Sequence, residues 1–132
     1  REILEQGLIA NAESTGALLE KRLQGLMRRF PFVGDVRGKG LLLAFELMDR
    51  RTKEPLDPAL DAHARLVDLA YERGLIIYSR RTRGGARGDH FMVCPPMIVN
   101  EEQVDEIMAL LHDSLSAFAA EVALPDEGAD AA

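Results

Sequence analysis

The sequence predicts an α+β fold, with helices packed on a small, largely antiparallel sheet. Two observations carry that reading. Apolar residues recur at helical spacing in three segments, at the start, middle and end of the chain. Between these segments lie two pairs of short apolar runs, each pair joined by a glycine-bearing connection, so that the elements read α-β-β-α-β-β-α.

Residues 1–30 read as one amphipathic helix with Leu4, Leu8, Leu19, Leu23, Leu26, Met27 and Phe30 along one stripe. Gly7 and Gly16 each weaken it by about 1 kcal/mol relative to alanine, so a bend or a tight contact is expected at those turns. Arg28 and Arg29 suit the negative end of the helix dipole, and Pro31 ends the helix. A short strand from Phe32, a turn through Gly38-Lys39-Gly40 and a strand over Leu41–Leu47 follow. The second of these is apolar on both faces, as a central strand covered on each side would be. Asp57-Pro58 starts the middle helix, with a capping carboxylate and proline at the first position. That helix runs to Arg73, and Gly74 stands where a left-handed cap is wanted, with Leu75 to pack behind it. Leu75–Tyr78 reads as a strand, residues 79–89 as a Gly/Arg-rich loop, and His90–Cys94 as a strand ended by Pro95-Pro96. Asn100 caps the last helix, Gln103 returns the bond, and Val99 and Val104 form a hydrophobic staple. One domain over 1–123 with a frayed tail over 124–132 is expected.

The 132 residues, 47% hydrophobic and 29% charged, suit a single soluble domain with one core. A net charge of −6 argues against a broad nucleic-acid surface. No apolar run reaches the ~20 residues of a membrane span, and no signal peptide is recognisable. A lone Cys94 suits a reducing, cytoplasmic setting, where it reads as a small buried hydrophobe at a strand end. The chain opens at Arg1-Glu2-Ile3-Leu4 inside an uncapped periodic helix, as a piece cut from a longer chain would.

Most of the chemistry-bearing residues read as structure. Arg37-Gly38-Lys39-Gly40 has neither the glycine spacing nor the Ser/Thr of a phosphate loop, and a strand follows it, so it is a hairpin turn. His63, His90, His112 and Cys94 lack metal-ligand spacing, and no metal is expected. The serines sit in no nucleophile elbow. The one concentrated feature is Arg80, Arg81, Arg83 and Arg87 among Gly84, Gly85 and Gly88. Such guanidinium forks bind carboxylates in two-pronged fashion on a flexible segment, or else decorate a solvated connection. The residues alone leave both readings open.

Read together, the order G…N…G..L…L over Gly7–Leu23, Val33-Gly34-Asp35-Val36-Arg37-Gly38-Lys39-Gly40-Leu41, Glu72-Arg73-Gly74-Leu75 and Gly88-Asp89-His90 through Cys94-Pro95-Pro96-Met97-Ile98-Val99 resembles the C-terminal small domain of class III (ω-amino acid) aminotransferases. The resemblance covers nearly the whole chain to about residue 120. It implies a small domain of a fold-type-I enzyme dependent on pyridoxal phosphate (PLP), a homodimer in the parent protein. It implies amino transfer from an amine or ω-amino acid to a keto acid such as pyruvate, with this domain forming part of the substrate cleft. The Schiff-base lysine and phosphate loop would lie in an upstream large domain, so no catalytic or cofactor-binding residue is expected here, and Lys39 is not the catalytic lysine. This piece alone is expected to bind no PLP and to be inactive. One family pattern places a carboxylate-binding arginine three residues before the paired prolines, where this chain has Met92. The other places a mobile arginine in the preceding loop, a place bracketed by Arg83 and Arg87, the two substrate-binding candidates. A free-standing α+β ligand-binding or regulatory module is the alternative.

Overall fold

The computed structural model describes residues 1–124, so all of the expected tail except Leu124 lies outside the described residues. Two helices open the chain, α1 (Glu2–Glu5) and α2 (Leu8–Arg29), followed by strands β1 (Val33–Lys39) and β2 (Leu42–Leu47). A 3-10 turn at Pro58–Leu60 leads into α3 (Ala62–Glu72), then come β3 (Tyr78–Arg81), β4 (Asp89–Val93) and α4 (Glu101–Val122). The four strands form one sheet in the order β1-β2-β4-β3, and every neighbouring pair is antiparallel. The expected α+β class and element order are what the chain adopts.

Local chemistry accounts for the breaks between elements. The first helix does not run unbroken over 1–30. Gly7 takes a left-handed backbone, φ 64°, and separates α1 from α2. Gly16 fills the other expected role, tight packing. It faces Gly40 in the β1–β2 turn so closely that a Cβ built there would stand 2.4 Å from the Gly40 carbonyl carbon. The middle helix is also interrupted. Asp57 caps the 3-10 turn through the Ala59 N–H at 2.9 Å, but Asp61 then turns left-handed and α3 begins afresh. At the far end of α3, Leu75 N–H bonds to the Ala70 carbonyl and Gly74 N–H to that of Tyr71, both at 2.9 Å, a Schellman closure with Leu75 buried behind it. The capping box of α4 is complete. Gln103 N–H donates to Asn100 Oδ1 at 2.8 Å, and Asn100 N–H donates to Gln103 Oε1 at 3.1 Å.

Two strand expectations need correction. The β3 ladder starts at Tyr78 rather than Leu75, which puts Arg80 and Arg81 in the strand. Tyr78 faces Met92, and continuing that register would set Leu75 against Pro95, which has no N–H to offer the ladder. Cys94 is exposed, because β4 has ended at Val93 and the alternation turns the next side chain away from the core.

Among the described residues the hydrophobic core lies on one side of the sheet. Leu43, Phe45, Leu47, Phe91 and Val93 point from the sheet into a core completed by Leu19, Leu23 and Phe30 from the α2 end, Leu66 from α3, and Leu111, Leu115 and Phe118 from α4. Phe45 and Phe91 face each other across β2 and β4 and stack at 5.0 Å between ring centres. Among the described residues no helix is long and apolar enough to cross a membrane.

Candidate functional site

The second face of the sheet explains why β2 is apolar on both sides although only one side is buried here. Strand alternation puts Leu42, Ala44 and Glu46 of β2 on that face, with Met92 and His90 of β4 and Tyr78 and Arg80 of β3 beside them. Leu42 is 61% exposed and Tyr78 58%, while the adjoining Leu43 and Ile77 are buried in the core. This corrects the expectation of a strand covered on each side: within the described residues the helices pack on one face only. Two shallow hollows of about 370 Å³ mark the open face, one around Leu42, Ala44, His90 and Met92, the other around Ile76, Tyr78, Met92 and Cys94.

The cross-strand rows give this face a polarity. One row runs Arg37, Ala44, Met92, Tyr78 and is largely apolar; the next runs Asp35, Glu46, His90, Arg80 and is charged. Arg37 is already satisfied, its Nη1 lying 2.6 Å from Asp35 Oδ2 and 2.7 Å from Glu46 Oε2. Burial works against its charge, but the bonds to Glu46 and Asp35 outweigh it and hold the guanidinium pKa above its ordinary value. Arg80 is exposed at the other end of the row. Sequence reading missed it as part of this face, because Leu-Ile-Ile-Tyr looked like the strand and left Arg80 in the loop. The alternation Tyr78, Ser79, Arg80, Arg81 was the available signal.

The predicted arginines sit where β3 turns into β4. Residues 82–88 close that hairpin at the end of the sheet bearing the charged row, opposite to the β1–β2 turn. Arg83 and Arg87 are both exposed in this loop, and among the described residues neither side chain forms an ion pair or hydrogen bond. The loop is nonetheless a folded object. Gly85 N–H and Arg87 N–H both bond to the Thr82 carbonyl, at 3.1 and 3.3 Å, and Arg83 itself is left-handed at φ 52°. Gly88 is buried beneath the Glu46 carboxylate, with a built Cβ only 3.2 Å from Glu46 Oε1. Arg81 differs from the other three: its side chain is only 20% exposed and is engaged by acids at the base of the loop.

The three lysines are scattered. Lys21 lies on the outer surface of α2 beside Arg22 and Arg28, Lys39 ends β1, and Lys53 donates to the Gly34 carbonyl at 2.7 Å. The α3 start already receives the Asp89 carboxylate at His63 N–H, and the first turn of α4 carries Glu101 and Glu102. Among the described residues no group of three or more His, Cys, Asp or Glu side chains could hold a metal ion.

Among the described residues, the helices thus cover one sheet face and leave the second, apolar and edged by arginines, exposed. The chain belongs to the class III aminotransferases, whose family model matches residues 1–115. It is 38% identical over 110 residues to the taurine–pyruvate aminotransferase of Bilophila wadsworthia, 82% of this chain and 24% of that protein. The ω-transferase of Vibrio fluvialis JS17 superposes with a TM-score of 0.80 at 30% identity, over 92% of this chain and 27% of that one. An amine transaminase from an uncultivated Pseudomonas species, solved in a PLP-bound form, gives a TM-score of 0.75 at 31% identity over 88% of this chain and 25% of that one. The chain thus spans about a quarter of the length of the relatives it matches. The family is PLP-dependent.

Proposed function

We propose that this chain is the small-domain wall of the substrate cleft in a class III aminotransferase, which transfers an amino group from an amine or ω-amino acid to a keto acid such as pyruvate. The observation that carries the proposal is the uncovered sheet face, apolar around Ala44, Met92 and Tyr78 and bordered at one end by Arg80 and the loop bearing Arg83 and Arg87. An upstream large domain covers that face, and the parent protein works as a homodimer. PLP supplies the electron sink for amino transfer when bound. Among the described residues the lysines are dispersed, Lys21 on α2, Lys39 at the end of β1 and Lys53 on the Gly34 carbonyl, which supports placing the Schiff-base lysine and the phosphate site in that large domain. This chain alone binds no PLP and is inactive. Its own contribution is shape and charge. Met92 and Tyr78 exclude water from the apolar part of the wall, and Arg83 or Arg87 binds the acceptor carboxylate through a two-pronged contact.

Kinetics of the full-length protein test this. A charge-assisted contact is worth about 1.5–3 kcal/mol, or roughly one to two decades. Arg83→Ala or Arg87→Ala is expected to lower kcat/KM for pyruvate by about that factor while the half-reaction with a simple uncharged amine changes much less. Unchanged keto-acid kinetics in both variants would remove the arginines from the site.

A further inference from the structure

The base of the arginine loop is held by an ion network that binding a carboxylate does not by itself require. Arg81 and Asp89 form the last cross-strand pair before the loop opens. Arg81 Nε lies 3.2 Å from Asp89 Oδ1, and Nη2 lies 3.5 Å from Oδ2. The same guanidinium reaches Asp61 Oδ1 through Nη1 at 3.1 Å and donates from Nη2 to the Pro58 carbonyl at 3.2 Å. Asp89 Oδ2 also accepts the His63 N–H at 3.2 Å, in the first turn of α3. The His63 Nδ1 stands 3.2 Å from Asp61 Oδ1 but outside hydrogen-bonding geometry, so the imidazole adds no bond to the network.

Burial gives the network its force. The Asp89 side chain is 8% exposed, and among the described residues no other charged residue is buried. A carboxylate so placed is costly unless paired, and Arg81 with the α3 N-terminus supplies the pairing. The partners also come from different layers. Asp61 and Pro58 belong to the segment ahead of α3, whereas Arg81 and Asp89 are the two stems of the hairpin. Gly85 packs against the same segment, with a built Cβ 3.0 Å from the Pro58 ring. The loop is therefore anchored to the helix layer, while among the described residues its Arg83 and Arg87 side chains stay unengaged.

We infer that Asp89 and Arg81 are positioning residues: their ion pair, shared with Asp61 and the start of α3, fixes where the 82–88 loop stands and hence where Arg83 and Arg87 present their guanidinium groups. This rests on the reading that one of those two arginines binds the acceptor carboxylate. A pair serving general stability alone would affect the whole domain equally. A positioning pair acts on the loop and on carboxylate binding while the amine half-reaction continues.

The test sets Asp89→Asn and Arg81→Lys beside Arg83→Ala and Arg87→Ala in the full-length protein, reading hydrogen exchange by peptide and the two half-reactions separately. In Asp89→Asn, exchange over 82–88 is expected to rise about tenfold or more, with Leu43–Leu47 staying within about twofold. KM for pyruvate is expected to rise roughly tenfold, with the amine half-reaction within about twofold of the parent. Arg81→Lys keeps the charge without the fork and is expected to fall between the two. Exchange that rises equally in the core strands overturns the inference. So does a loosened loop with unchanged pyruvate KM, when Arg83→Ala or Arg87→Ala does raise it. If neither arginine variant alters pyruvate kinetics, the carboxylate reading fails on its own, and the clamp is decided by the exchange pattern. Where Asp89→Asn does not fold, Arg81→Lys supplies the same comparison.

Discussion

Alanine at Gly16 would normally strengthen a helix, yet here it is expected to destabilise the protein. Gly16 lies in the middle of α2, and its intrinsic helix penalty is about 1 kcal/mol relative to alanine. A Cβ at that position would stand 2.4, 2.5 and 2.7 Å from the Gly40 carbonyl carbon, its oxygen and Cα. All three are backbone atoms in the β1–β2 turn, so no side chain can swing aside. Either α2 lifts from the hairpin or the turn deforms, and overpacking of this kind costs typically 1–3 kcal/mol. Because the contact is backbone on backbone, the upper half of that range applies, and after subtracting the propensity gain roughly 1–2 kcal/mol of net loss remains. Gly25→Ala is the matched control in the same helix: its Cβ would meet nothing nearer than Arg28 Nη2 at 3.7 Å. It is expected to gain up to about 1 kcal/mol. Urea denaturation followed by far-ultraviolet circular dichroism measures both. Gly16→Ala proving as stable as Gly25→Ala would refute the close approach of α2 to the hairpin.

Two further outcomes follow from the caps and surface pairs. Asn100→Ala removes the acceptor of Gln103 N–H and is expected to cost about 1 kcal/mol by the same denaturation assay, with Gln103→Ala costing less. Arg65 grips Glu121 with two bonds of 2.6 and 2.7 Å between α3 and α4, and the side-chain bond from Arg65 holds the Glu121 carboxyl below its ordinary pKa. A depressed carboxyl stabilises the fold above its unfolded pKa of about 4.3 and loses that contribution as pH falls through the lower folded value. Both groups are substantially exposed, so a small effect is expected. The Tm difference between the parent and Glu121→Gln is expected to be present at neutral pH, to shrink below about pH 4, and to be weakened by salt.

The features legible in the sequence were those governed by neighbours along the chain. Asn100 and Gln103 lie three residues apart, so their capping box needed nothing beyond a helix to follow. Gly74 and Leu75 announced the Schellman end of α3 for the same reason, and the apolar periods of α2 and α4 located the core stripe. Gly7 and Gly16 could be marked as places where the first helix would bend or pack tightly, but not which would do which: both are glycine at helical spacing. Only the position of Gly40 across the fold made one a contact and left the other a break.

Tertiary structure decided the pairing and the faces. Where β3 begins depends on the residue opposite it, and a proline opposite Leu75 cannot be inferred from the strand's own composition. Arg81 and Arg83 are nearly identical as sequence, two residues apart in one basic run. Alternation and the placement of Asp61 and Asp89 engage the first at the base of the loop and leave the second exposed. The apolar character of β2 on both sides was visible from its composition. That one side is uncovered among the described residues is a property of where three helices pack, because hydrophobicity records that a surface is to be buried and carries no record of which polypeptide buries it.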